Sequence, residues 1–180
     1  MNAGYEFFAA TAAPPGVMPR APDLRVVGYD DTDVLRLLAQ VQQEYVRRYG
    51  GEDTTPLRTS MFVPGEGVFL VAYAAGRPVA MGGWRRHDEA RDGRVPGRRV
   101  AEIKRMFVVP EARGRGHARF LLAELERTAL EDGCDQMVLE TGQAQPEAIA
   151  LYRSAGYTDI EPFGHYADDE LSVHLGKRLG

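Results

Sequence analysis

The stretch VVPEARGRGHAR, residues 108–119, decides the fold. It follows a segment that predicts a long strand over residues 99–109, and it precedes an apolar stripe at helical spacing that ends near Gly133. Two glycines and three arginines therefore lie between a strand and the N-terminus of a helix. The first turn of a helix has amides without intrahelical partners and a partial positive charge, so the stretch predicts a cradle for phosphate or pyrophosphate.

Two common nucleotide motifs do not match this turn. A Walker A loop needs Gly-Lys followed by Ser or Thr, which the chain lacks here, and a dinucleotide fingerprint needs glycine where Arg119 stands. The alternative to an anion site is a tight strand-to-helix turn with solvated arginines. The turn alone leaves both interpretations open.

The pattern on either side predicts a mixed sheet with helices on its faces. It comprises a strand at 24–27, a helix that ends at Gly50, a hairpin over 68–86, the long strand, the helix after the turn, a strand at 136–140, a helix at 147–155 and a strand at 171–175. This order indicates an α/β (α+β) layer architecture.

Length and composition exclude several protein classes. The 180 residues fit one domain, which we expect over residues 23–180 after a flexible, Ala- and Pro-rich leader over residues 1–22. The single cysteine, Cys134, excludes an internal disulfide, and no Cys/His cluster indicates zinc. The net charge of −4 and the lack of a long apolar run argue against nucleic-acid and membrane partners and favour a cytoplasmic protein.

The turn also resembles a motif of the GNAT superfamily of N-acetyltransferases. Arg113, Gly116 and Ala118 match its pyrophosphate-binding pattern, and the resemblance continues over residues 68–179. It implies a GNAT-like mixed, mostly antiparallel central sheet of six to seven strands, with splayed central strands and about four flanking helices. It also implies acetyl-CoA as co-substrate and no metal.

A second motif lies in QPEAIALYRSAGY, residues 145–157, which resembles the family pattern that ends in Leu-Tyr-x-x-x-Gly-Tyr. The resemblance implies that Tyr152 is the general acid that protonates the leaving thiolate of coenzyme A. The alternative is a core aromatic, since Tyr152 shares a helical face with apolar residues. Gln145 stands where the family often has an asparagine that contacts pantetheine.

Glu102, on the long strand, is the expected general base. An amine acceptor is mostly an ammonium at neutral pH, so a base must remove a proton before attack. A glutamate at this position resembles the base of several members of the family. The alternative is a strand glutamate on a solvated face.

The resemblance further implies that the strand before the turn bulges, so that its backbone pairs with pantetheine and one amide polarises the thioester. The cofactor-binding residues expected on this basis are Phe107, Val108, Val109, Arg113, Gly114, Arg115, Gly116, His117, Ala118, Arg119, Gln145 and Ala148.

The expected activity is transfer of an acetyl group from acetyl-CoA to a primary amine by direct attack within a ternary complex. The alternatives are a non-catalytic acetyl-CoA-binding sensor or interaction module, transfer of another acyl group, and a protein amine as acceptor. A small-molecule amine or a peptide would be the partner, and a homodimer is possible. We expect the acceptor site between the first helix, the loop 52–67 and the segment 163–170, with Glu44, Tyr45 and Trp84 as candidate lining residues.

Overall fold

A computed structural model describes residues 22–87 and 99–180. The expected leader, residues 1–22, lies outside the described residues except for Pro22. Most of the polar connection expected over residues 87–97 also lies outside them. No helix in the described ranges is long and apolar enough to cross a membrane.

The described residues form seven strands and three α-helices. The strands are β1 (Asp23–Val26), β2 (Gly67–Ala74), β3 (Arg77–Arg86), β4 (Val100–Val108), β5 (Gln136–Gly142), β6 (Thr158–Asp159) and β7 (Ser172–Arg178), and the helices are α1 (Thr32–Tyr49), α2 (His117–Glu131) and α3 (Pro146–Ser154). Two short 3₁₀ turns, Thr59–Phe62 and Pro110–Ala112, complete the order. The two-residue β6 was not expected from the sequence, because two residues are too few to show a strand period.

The strands form one sheet in the order β1-β2-β3-β4-β5-β7-β6. Every neighbouring pair is antiparallel except β4 and β5, which are parallel. The expectation of a mixed, mostly antiparallel sheet is confirmed. The described residues contain three α-helices, where about four were expected.

Helix α1 begins and ends at residues suited to those positions. The Asp31 side chain accepts a hydrogen bond from the amide of Asp33 at 2.8 Å, which caps the N-terminus. Gly50 ends the helix in the left-handed conformation. The buried residues of the helix, Val34, Leu37 and Val41, recur at helical spacing and join the main core.

Trp84 shows how the sheet packs. Its side chain is buried at 2% exposure, and its indole N–H donates to Thr128 Oγ1 of α2 at 2.9 Å. The expectation that Trp84 lines the acceptor site is therefore wrong. The neighbouring Gly83 faces the other way, against Phe62 and Phe69, so α2 covers only one side of the hairpin.

The two central strands separate after a short paired segment. Strands β4 and β5 pair only where Val100, Ala101 and Glu102 lie opposite Gln136, Met137 and Val138. On its other edge β4 bulges against β3, and Arg105 within the bulge has a φ of 56°. Such a conformation costs a residue with a side chain about 1–3 kcal/mol, and here Arg105 forms an ion pair with Asp53. The expected splay of the central strands is confirmed.

Candidate active site

A cavity of about 450 Å³ opens where β4 leaves β5. Its walls are the end of β4, the turn after it and one side of α3. Ten of the expected cofactor-binding residues line it: Phe107, Val108, Arg113, Gly114, Gly116, His117, Ala118, Arg119, Gln145 and Ala148. Val109 and Arg115 do not. Val109 is buried and its amide donates to the carbonyl of Val79, whereas Arg115 is exposed.

The basic end of this cavity is the turn that leads into α2. Gly114 and Gly116 have φ values of 73° and 83°, which glycine adopts without the steric cost that a Cβ would add. Gly116 is the N-cap of α2, and no side chain among the described residues caps this helix end. The first-turn amides are therefore free to bind an anion.

Two arginines are anchored beside that turn. Arg113 donates from Nε to the carbonyl of Val108 at 3.1 Å, and its Nη2 pairs with Glu44 Oε2 at 2.5 Å. Arg119 donates to Ser154 Oγ at 2.9 Å. Glu44, expected at the acceptor site, instead lines the cofactor-sized cavity.

Tyr152 lies at the inner end of the same cavity. Its side chain is buried, and its hydroxyl donates to the thioether sulfur of Met106 at 3.7 Å. Burial raises the pKa of the phenol, and Tyr45 raises it further, so the hydroxyl stays protonated. A thioether is a weak acceptor, which a thiolate placed nearby would outcompete.

A second cavity, of about 280 Å³, lies on the other side of Gln145. The tyrosines Tyr45, Tyr49 and Tyr166 line it. So do four carboxylates: Glu52, Asp53, Glu140 and Asp169. No lysine or arginine is among its lining residues in the described part of the chain. The first helix, the loop after it and the segment before β7 thus meet at this cavity.

A smaller cavity of about 70 Å³ shares lining residues with both of the larger ones. Gln145 lines all three, and its amide donates to the Tyr49 hydroxyl at 3.1 Å. Tyr152 and Glu140 both line the smaller cavity, each contributing also to one of the larger ones. A proton donor and a carboxylate therefore line the same small cavity.

Glu140 was not among the residues expected from the sequence. It lies near the end of β5, opposite His174 of β7. Burial raises its pKa to about 7, with a smaller opposing effect from Lys104 and further increases from Glu102 and Asp169. A carboxyl group that titrates near neutral pH suits a general base. The one signal in the sequence is its position, a carboxylate directly after the buried run 137–139.

Glu102 has the opposite environment. Its side chain is 1% exposed, and its carboxylate contacts Lys104 Nζ at 2.6 Å, Arg85 Nη2 at 2.7 Å and His87 Nδ1 at 3.2 Å. Burial alone would raise its pKa, but these three groups outweigh burial and lower the pKa to about 2.

These surroundings argue against the expected role of Glu102 as general base. So low a pKa makes a weak base, and Glu102 lines none of the three cavities. The alternative of a solvated face is wrong. Arg85 and Arg86 pair with Glu102 and Asp132.

The described residues contain no group of three or more His, Cys, Asp or Glu side chains that could hold a metal ion.

Comparison with known proteins identifies relatives of the chain. Residues 36–157 match the Acetyltransferase (GNAT) family. An IAA acetyltransferase of Azospirillum brasilense is 41% identical over 111 residues, which cover 62% of this chain and 67% of that protein.

Solved structures share the fold. A crystal structure of a protein assigned as an acyl-CoA N-acyltransferase, from Klebsiella pneumoniae, is 28% identical with a TM-score of 0.71, and the match covers 88% of this chain and 98% of that one. The PaiA N-acetyltransferase of Thermoplasma acidophilum, solved with coenzyme A, has a TM-score of 0.60 over 87% of this chain and 98% of its own. At 14% identity, that likeness concerns the fold alone.

Proposed function

The chain belongs to the acetyltransferase (GNAT) family, and we propose that it transfers an acetyl group from acetyl-CoA to a primary amine that attacks the thioester directly. The observation that carries this proposal is the pair of large cavities, one basic at its outer end and the other acidic, with a smaller cavity that shares lining residues with both. Tyr152 and Glu140 both line that smaller cavity.

The larger cavity suits a ligand with an anionic head and a long, partly apolar arm. The first-turn amides of α2, together with Arg113 and Arg119, would hold the pyrophosphate. Met106, Phe107 and Leu151 supply apolar surface along the arm. Acetyl-CoA brings an acyl group already activated as a thioester.

In the described structure, β4 stops pairing with β5 at Glu102. The backbone groups on this edge of β4 beyond Glu102 therefore have no hydrogen-bond partner on β5. An amide on this edge would stabilise the negative charge that develops on the thioester oxygen. Removal of one such donor cost about 2.7–4 kcal/mol in a protease where it was tested. Val109 is not a candidate donor, because its amide already binds Val79.

Glu140 is the proposed base in place of Glu102. An aliphatic ammonium has a pKa near 10 and no lone pair for attack, so it must lose a proton. Glu140 accepts that proton directly or through one water, because it lines both the acidic cavity and the smaller one. Tyr152, on the cofactor side, donates to the thiolate sulfur as the C–S bond breaks.

The acceptor would enter as a cation. Four carboxylates and three tyrosines line its cavity, and this combination attracts an ammonium by charge and by the faces of aromatic rings. The wall chemistry favours an amine without a nearby carboxylate over a free amino acid.

Thiol release from acetyl-CoA, measured across a panel of diamines, monoamines, amino acids and short peptides, tests the proposal. We expect transfer, verified by the mass of the acetylated product, with diamines preferred over α-amino acids. Tight acetyl-CoA binding with no transfer to any acceptor would instead indicate a binding module. Faster transfer from a longer acyl-CoA would redefine the acyl group.

Substitution of Tyr152→Phe tests the general acid. We expect kcat to fall by about 10²-fold or more, with the acetyl-CoA Kd largely kept, because only proton donation is lost. Tyr157→Phe is the matched control, since that ring packs edge-on against Tyr152 at 5.7 Å, is also buried and lines none of the three cavities. Equal rates for the two variants would remove Tyr152 from the acid role.

A further inference from the structure

A buried group of charges lies beside the proposed base. Glu102 binds Lys104 through Oε1, and Arg85 and His87 through Oε2. Phe163, which is fully buried, covers the group, with its ring 4.9 Å from that of His87 and 5.1 Å from that of His174. Water is therefore largely excluded, and charge–charge interactions here are strong.

Lys104 stands between this group and Glu140. Residues two apart in a strand share a face, so Glu102 and Lys104 of β4 lie on the same side as Val138 and Glu140 of β5. Lys104 and Glu140 both line the smaller cavity. Within the described structure, however, Lys104 forms its ion pair with Glu102 and none with Glu140.

Resting on the proposed role of Glu140, we infer that Glu102 is a positioning residue, which holds the Lys104 ammonium so that it does not pair with the Glu140 carboxylate. Without Glu102, the nearest uncompensated cation would be free to turn to Glu140. The charge of the Glu140 carboxylate would then be compensated by an adjacent cation, as the charge of Glu102 is, and Glu140 would be a weaker base. The buried strand glutamate thus acts on the reaction through Lys104, and it need not touch either substrate.

Several other groups face Glu140 and bear on its titration. From β7 these are the Ser172 hydroxyl and the His174 imidazole, and from the segment before it the Asp169 carboxylate. Tyr45 and Tyr49 of α1 line its cavity, as does Asp53, whose charge is compensated by Arg105. None of these groups is an unpaired cation, so Lys104 is the cation that most affects the titration of Glu140.

The direction of each effect follows from charge. Lys104 lowers the pKa of Glu140 and Glu102 raises it. Glu102→Gln removes the anion and releases the cation, and both changes lower that pKa. Lys104→Gln removes the cation and raises it.

The test is the pH dependence of kcat/KM for the best amine of the panel, measured with Glu102→Gln, Lys104→Gln and the double variant. A neighbouring charge shifts a pKa by about 1–3 units. We therefore expect the acidic limb of the pH profile to move to lower pH by about one unit in Glu102→Gln and to higher pH in Lys104→Gln. The double variant should lie between them. Limbs that stay in place, or that move the opposite way, would overturn the proposal.

Arg85→Gln is the matched control. It removes another cation from Glu102 but leaves Lys104 held, so activity can fall while the limb stays in place. A downward shift like that of Glu102→Gln would mean that general disruption of the cluster moves the limb, and would overturn the proposal. If Glu102→Gln does not fold, Lys104→Gln still tests the proposal, because its acidic limb must move to higher pH.

A second readout separates this inference from the proposed function. The carboxyl ¹³C shift of Glu140, assigned by its loss in Glu140→Gln, reports titration without any substrate. We expect the same opposite shifts in Glu102→Gln and Lys104→Gln. If they occur while Glu140→Gln transfers acetyl normally, Lys104 is held as inferred and the base assignment fails. If they are absent, the inference fails whatever the activity.

Discussion

Glu102 and Glu140 show how far neighbours decide what one residue type can do. Both are glutamates on adjacent strands of one sheet, but Glu102 is enclosed by cations, while Glu140 is half-buried and forms no ion pair in the described structure. The sequence displays neither environment in full, because only Lys104 is near Glu102 in the chain, whereas Arg85 and His87 come from β3 and the residue after it. This is why we propose as base Glu140, a residue that the sequence did not single out, in place of Glu102.

Glu140→Gln should stabilise the protein at alkaline pH. The folded-state pKa of Glu140, about 7, lies above the value of about 4.3 in an unfolded chain. The folded protein therefore holds a proton on this carboxyl group more tightly than the unfolded chain does. The resulting stability is complete below the unfolded pKa and is lost as pH rises through 7. Each pKa unit is about 1.4 kcal/mol, so the loss at pH 8.5 is on the order of 4 kcal/mol.

Urea unfolding at pH 5 and pH 8.5 measures that effect. The gain in unfolding free energy for Glu140→Gln should be larger at pH 8.5 than at pH 5. Glu131→Gln, on the exposed surface of α2, is the control and should give the same small change at both values. A gain that does not depend on pH would contradict the elevated pKa.

The elements of the site were predictable to different degrees. The strand, turn and helix around residues 108–119 follow from apolar spacing and glycines, and the structure has them where they were expected. The bulge at Arg105 has no such signal, because an arginine in the left-handed region breaks the usual preference for glycine. It was expected only from the resemblance to a family. Tertiary contacts, including the ion pair of Arg105 with Asp53, hold that conformation.

Gly116→Ala and Gly65→Ala separate backbone strain from cofactor binding. Both glycines have positive φ, 83° and 88°, and an added Cβ would meet open space at each. Each substitution should cost about 1 kcal/mol of stability, because an L-residue is strained there. Only Gly116→Ala should weaken acetyl-CoA binding in calorimetry, since Gly65 lies in a turn away from the cavity. Equal affinities for the two variants would argue against the turn as the anion site.

At the scale of the molecule, two half-sheets are joined by a short seam. Within the described residues, strands β1 to β4 and strands β5 to β7 pair only at three positions, all between β4 and β5. The two cavities open where that seam ends. Net charge gives no hint of this arrangement, because the −4 of the chain combines a basic turn with an acidic cavity. Fold class could be predicted from element order, whereas the arrangement of the cavities depends on side chains distant in sequence.

Acetyl-CoA should reduce local opening where β4 and β5 separate. A ligand that fills the gap between β4 and β5 contacts both half-sheets, so hydrogen exchange should slow at residues 103–108 and 139–142 more than in the β2–β3 hairpin. Mass spectrometry of peptides from these segments, with and without the ligand, measures the effect. Protection confined to regions outside β4, β5 and the turn would place the cofactor elsewhere.

The most direct single measurement is the kcat/KM of Glu140→Gln for the amine acceptor across pH, with the acetyl-CoA Kd determined in parallel. The wild-type rate should rise with pH through a limb near 7, because the carboxylate form of Glu140 is the base. In Glu140→Gln the rate should fall about 10²-fold or more and the limb should vanish, while the Kd is unchanged. A variant that keeps the wild-type rate and the same limb would contradict Glu140 as the base.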